Sequence, residues 1–252
     1  MPTKRPPPSG DSFSLPTFEL HWEQHEPGDD LFPNGIDEDE TLLFHGTPST
    51  REEAIDREGL HPSASGVALA EVRSLIGCFD LLGWSGTSTS GCPVLRAFTI
   101  RNDFRDGEDS PLYLSDRPSQ AIYFGIRSAA GGEKLSACRW AIGDLRRMLN
   151  DVSFRETQQK NPAQWTPPGA ASEVSSERLA EVTVKLSKLA HLERAAHDEF
   201  DRWRYTVIYA LRPPTEIRAT WEDCKGMGIR VFDSIPPSWF VAKLRIYPPT
   251  KK

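Results

Sequence analysis

A long helical period set among short β-type runs constrains this chain most. Leu179, Val182, Leu186, Leu189, Ala196, Phe200 and Trp203 fall at three- and four-residue steps, with one weak step at Glu193. That spacing predicts an amphipathic helix over 173–203. Around it stand short runs rich in β-branched and aromatic residues: TLLFHGT at 41–47, VLRAFTI at 94–100, LYLS at 112–115, YTVIYAL at 205–211, GIRVF at 228–232 and FVAKLRI at 240–246. Each reads as a strand. Their irregular mixing with helical stretches predicts an α+β fold and not a regular βαβ alternation. Neither GxGxxG nor GxxxxGK[ST] occurs, so neither a Rossmann nor a P-loop nucleotide site is supported.

The chain has 252 residues, enough for one large domain or two small ones. Residues 1–40, first Pro- and Ser-rich and then acidic and turn-rich, read as a disordered or weakly ordered lead-in. A single domain is expected over 41–248. Helices are expected after Thr50 up to Gly59, from Asp116 to about Ser128, and over 134–150. Residues 101–111 and 151–171 read as loops. Insertions are expected at 61–92 and 134–203. The formal net charge of −6 argues against a generally basic nucleic-acid surface, although a local basic patch stays compatible with it. No run of eighteen apolar residues and no secretory h-region occur, so the expectation is an intracellular, cytoplasmic or nuclear protein without membrane association. Cys78, Cys92, Cys138 and Cys224 form no CxxC pair and read as reduced thiols, with a Cys78–Cys92 disulfide as the alternative. No metal site is expected; His191 and His197 share no helix face well enough to ligate one ion.

Two segments carry chemistry. In LLFHGT, His45 ends a strand and Gly46 follows at once. A strand end fixes the direction of the imidazole, and a glycine lets a ligand approach the backbone N–H and C=O. In LYLSDRPSQAIYF, Tyr113 stands on a strand and Tyr123 in the following helix. Two such rings suit the faces of a flat heterocycle, each contributing about 0.5–1.5 kcal/mol beyond area burial. Small Ser115 and Ala121 leave room for it.

Together the segments resemble the diphtheria-toxin-like ADP-ribosyltransferases, especially the poly(ADP-ribose) polymerase branch. The resemblance spans about 41–125, with a weaker echo at 228–246. It implies a split β-sheet core with flanking helices, here carrying a long amphipathic helix insertion. It also implies NAD as substrate, with His45, Gly46, Thr47, Tyr113, Ser115, Ala121 and Tyr123 around it. His45 would meet the adenosine-side ribose, Gly46 the nicotinamide carboxamide, and the two tyrosines the nicotinamide ring.

The family's third residue, usually a glutamate opening a late strand, stabilises the cationic sugar formed as nicotinamide leaves. In GIRVFDSIPPSWF that position aligns with Gly228. Glu222 is the first substitute, Asp233 the second, and Glu216 and Glu199 are more distant ones. The expected catalytic set is therefore His45, Tyr113 and Glu222. Its reaction would be mono-ADP-ribosyl transfer to a protein or small-molecule acceptor, with a nucleic-acid acceptor left open. A non-catalytic NAD- or ADP-ribose-binding protein of the same fold, using helix 173–203 for a partner or a second copy, is the alternative.

Overall fold

The structure, a computed structural model, describes residues 15–26, 30–62, 66–84, 91–100, 111–159, 174–224 and 228–249. In chain order the elements are β1 (Thr17–His21), β2 (Leu43–Pro48), α1 (Glu52–Glu58), α2 (Leu69–Leu82), α3 (Gly91–Ile100), β3 (Leu112–Leu114) and α4 (Pro118–Arg127). Then follow α5 (Glu133–Asn150), α6 (Val152–Gln159), α7 (Ser176–Lys188), α8 (Ala190–Arg202), β4 (Thr206–Leu211), α9 (Thr215–Arg218), β5 (Glu222–Asp223), β6 (Ile229–Val231) and β7 (Phe240–Tyr247). The class is mixed α/β, compatible with the α+β expectation. No described helix is long and apolar enough to cross a membrane.

Two sheets form, one ordered β1-β7-β4-β2 and the other β3-β6-β5. They meet at one isolated bridge, where Phe44 and Ser115 exchange backbone hydrogen bonds of 2.7 and 2.9 Å. Strand alternation sorts the large sheet's side chains. Leu43, Val207, Tyr209 and Leu211 face a core shared with α1 and the small sheet, whereas Phe44, Ile208 and Ala210 pack against α4. A third core is all-helical, built where α2, α3, α5, α7 and α8 turn Leu75, Phe79, Leu95, Ile142, Val182 and Leu192 toward one another. Each such side chain contributes roughly 1.5–3 kcal/mol on full burial.

Several elements differ from the sequence reading. Run 94–100 is not a strand but the body of α3, because Cys92, Leu95 and Phe98 recur every three residues and are buried in the helical core. Packing there overrides β-propensity. The expected helix 173–203 is two helices, broken at Leu189 (φ −100°, ψ 5°), so that Leu192 and Ala196 still reach the helical core; residue 173 lies outside the described residues. The 151–171 loop begins as α6, started by Asp151, whose carboxylate accepts the Phe154 N–H. Most of the 101–111 loop also lies outside the described residues.

The 1–40 lead-in is corrected where it is described. Thr17–His21 pairs in parallel with Lys243–Tyr247 as the sheet's edge strand, and Phe32 is fully buried. A hydrophobic residue among acidic neighbours was enough once Asp37 accepted the Leu31 and Phe32 N–H groups and closed the turn.

Candidate functional site

A cleft of about 650 Å³ opens where the two sheets part. Its walls come from the end of β2, from α1, from the start of β3, from the α4–α5 corner and from the last turns of α8. His45, Gly46, Thr47 and Tyr113 all line it, although 68 residues separate His45 from Tyr113.

The parting of the strands has a local cause. Ser49 donates to Tyr205 at 2.9 Å, so the odd residues of β2 direct their backbone groups at β4. The even residues face the other way, and Phe44 uses both of its groups on Ser115. Gly46 is next in that series, yet the pairing of β2 with β3 stops at the bridge. The imidazole of His45 is the wedge. Its Nδ1 lies 3.1 Å from the Tyr113 carbonyl, which the next rung would otherwise use. The N–H and C=O of Gly46 therefore point side by side into the cleft.

A carbonyl oxygen only accepts, so Nδ1 of His45 carries the proton and Nε2 is left as an acceptor. Burial pulls the His45 pKa below its ordinary 6.5, and the Tyr113 carbonyl offsets part of that. The ring is neutral at neutral pH.

Gly46 has a second role beyond ligand approach. A Cβ there would stand 1.8 Å from the Ala121 carbonyl oxygen and 2.9 Å from the Gly125 nitrogen. Helix α4 thus lies flush against β2, and the glycine is what admits it.

Three expected site residues stand elsewhere. Ser115 is buried as a link to α4: its hydroxyl donates to Gln120 at 2.8 Å and accepts the Arg117 N–H at 3.0 Å. Ala121 is buried against Gly46. Tyr123 is 55% exposed on the outer side of α4, its hydroxyl accepting from Arg127 at 2.8 Å. Phe124 lines the cleft instead. Helix phase explains this: Phe124 lies about 60° from the sheet-facing Ala121, Tyr123 about 160°. The sequence held that signal in Ala121, Ile122 and Gly125, the buried stripe of α4.

Glu222 does not line the cleft either. It sits on β5, half-exposed, paired with Arg230 of β6, whose Nε is 2.9 Å from the carboxylate. In register Arg230 lies between Glu222 and Tyr113, so the cation both neutralises the acid and separates it from the cleft. Gly228, at the aligned position, has φ +96°, and a Cβ there would approach the Leu114 carbonyl oxygen to 2.2 Å. A side chain is excluded from that point of the strand. Asp233 and Glu216 are also absent from the cleft lining.

The acids that do line it are Glu58, Glu133, Asp198 and Glu199. Glu199 is distinctive: Arg202 holds one oxygen, while Oε2 is buried with no hydrogen-bond partner. Three cations line the cleft: Arg51 before α1, Lys134 on α5 and Arg202 on α8. Arg51 makes no ion pair among the described residues, and no group of three potential metal ligands occurs among them. None of the four cysteines is in a disulfide. Burial pushes Cys138 up to about 12 and Cys78 to about 11, which removes both as thiolate nucleophiles.

The helix that follows Arg51, α1, is anchored from behind. Glu52, buried on the far side of α1, lies 2.6 Å from Lys243 and 2.8 Å from Arg245 of β7, and it accepts the Tyr205 hydroxyl. Asp56 accepts the Tyr209 hydroxyl and pairs with Lys243. No family model, curated protein or solved structure matches the chain.

Proposed function

We propose that the cleft binds NAD and that the chain is of ADP-ribosyltransferase type, transferring a single ADP-ribosyl group. One observation carries this reading. By strand alternation the N–H and C=O of Gly46 face away from β4, with no backbone partner among the described residues, and form an adjacent donor–acceptor pair in a cleft that Tyr113 and Phe124 also line. A carboxamide on a flat ring satisfies such a pair, because it offers one acceptor and one donor in the same plane. Neutral His45 then presents Nε2 to a ribose hydroxyl, and Arg51 and Arg202 face the pyrophosphate.

In the reaction, the bond between the nicotinamide nitrogen and ribose C1′ breaks and its electron pair leaves with nicotinamide. A nucleophile on the acceptor bonds to C1′ and releases its proton to solvent. The carboxylate assigned to the cationic sugar is Glu199, not Glu222. It comes from the helical insertion and lines the cleft, where Glu222 does not.

A non-catalytic NAD-binding chain is the second reading. It is favoured by the closure of the strand position at Gly228 and the capture of Glu222 by Arg230. Incubation with NAD and measurement of nicotinamide release separates the two. Turnover lost in His45→Ala and in Glu199→Gln supports the transferase. Binding without turnover supports the module. Absence of binding to the folded wild type overturns both.

A further inference from the structure

The outer surface of α4, α5 and α6 carries a feature that the cleft does not use. Tyr123 and Trp140 are 55% and 38% exposed, and the guanidinium of Arg127 lies over both rings, at 4.9 and 5.4 Å from their centroids. Seven residues along α5, roughly 10 Å, Arg147 stacks on Phe154 at 3.9 Å. Beside Trp140, Arg139 stacks on Phe200 of α8 at 4.6 Å. Rings and guanidinium groups alternate along one helical surface.

Part of the charge of this strip is not cancelled: Arg127 pairs with Glu133 at 3.9 Å, but two other arginines do not pair. Arg139 and Arg147 make no ion pair among the described residues. Two nearby acids are directed elsewhere: Asp144 accepts the Gly91 N–H and Asp151 the Phe154 N–H. In a chain of net charge −6, two unneutralised arginines held against rings on one face depart from the average surface.

We propose that this strip binds single-stranded nucleic acid. Tyr123 and Trp140 keep exposed ring surface on which unpaired bases stack, and the arginines held over the rings offer their cations to the phosphates. A duplex hides its base faces and cannot use Tyr123 or Trp140. A protein partner would gain little from guanidinium groups that already cover part of the apolar surface. Arg127, clasped between two rings, holds them apart and pre-ordered. The inference is independent of the NAD cleft, although the strip starts one residue from Phe124 on its rim.

The test is fluorescence anisotropy of the full chain with a labelled oligo-dT of about fifteen nucleotides, in salt from ~50 to ~200 mM. Wild type is expected to bind, with affinity falling steeply as salt rises. Trp140→Ala and Tyr123→Ala each weaken binding on the order of tenfold, whereas Trp140→Phe restores most of it. Arg139→Ala and Arg147→Ala each flatten the salt dependence of log K by about 0.7. Ile217→Ala, at an exposed apolar position elsewhere, changes nothing. His45→Ala is expected to weaken NAD binding and leave the oligonucleotide untouched, so failure of either reading is seen separately. Melting curves verify folding of each variant. The proposal is overturned by absence of binding at low salt, by duplex binding as tight as single-strand binding, or by polyglutamate displacing the oligonucleotide equally from wild type and Trp140→Ala.

Discussion

Replacing Glu52 by Gln tests what holds the α1 wall of the cleft in place. The side chains of Glu52 and Lys243 are each 7% exposed and 2.6 Å apart, and Arg245 approaches the same carboxylate at 2.8 Å. Glutamine keeps the shape but removes the charge, and its amide turns a donor toward two cations. Breaking a buried ion pair from one side costs about 3–5 kcal/mol. The lower end applies, because Asp56 remains as a second acceptor for Lys243 and Arg245 is 30% exposed. About 3 kcal/mol lowers the melting temperature of a chain this size by roughly 6–12 °C. The pH dependence gives an independent check. Burial raises the Glu52 pKa, but hydrogen bonds from Arg245, Lys243 and Tyr205 outweigh it and leave the group below its ordinary 4.5. A carboxylate whose pKa is depressed by folding stabilises the fold above its unfolded value and loses that contribution as the pH falls through the folded one. The gap between wild type and Glu52→Gln should therefore be full at pH 7 and shrink below 4.5. Thermal melts monitored by circular dichroism across that range read both effects. A variant melting within about 1 °C of wild type at neutral pH, or a gap that does not close in acid, would refute the reasoning.

Other outcomes follow from the same geometry. Because folding lowers the His45 pKa below 6.5, NAD affinity measured by calorimetry should be flat through neutral pH and decline only under more acidic conditions, a decline absent in His45→Ala. Phe124→Ala should weaken NAD about three- to tenfold, the worth of one aromatic contact, whereas Tyr123→Ala should leave it unchanged; the reverse order would place the ring wall on the wrong residue. Gly46→Ala should destabilise the fold itself, seen as a lower urea midpoint, since the Ala121 carbonyl occupies the space a methyl group needs. Gly228→Glu should add no nicotinamide release over wild type and should lower stability, because the Leu114 carbonyl blocks its side chain.

Much of the site was legible because it depends on local chemistry. His45 and Gly46 close an apolar run, and Tyr113 sits in another, so their strands and their alternation were readable. A tyrosine is the more conspicuous residue type for a ring wall, but helix phase turns Tyr123 outward and brings Phe124 to the cleft. Ser115 and Ala121 were correctly seen as small, but their size serves the packing of α4 and not a ligand. Glu222 looked free in the sequence only because nothing there shows that β5 and β6 pair it with Arg230.

What the residue order determined alone was periodicity and chemical type: apolar strands ending at turn residues, amphipathic helices, an imidazole followed by a glycine. These need only neighbours a few positions away. Tertiary structure decided the rest. It joined Thr17–His21 to a strand more than two hundred residues distant, turned 94–100 into a helix, and split β2 from β3 with one histidine side chain. Each of these outcomes is a contest between a weak local preference and the burial or hydrogen bonding offered by a remote partner, and that partner exists only once the chain has folded.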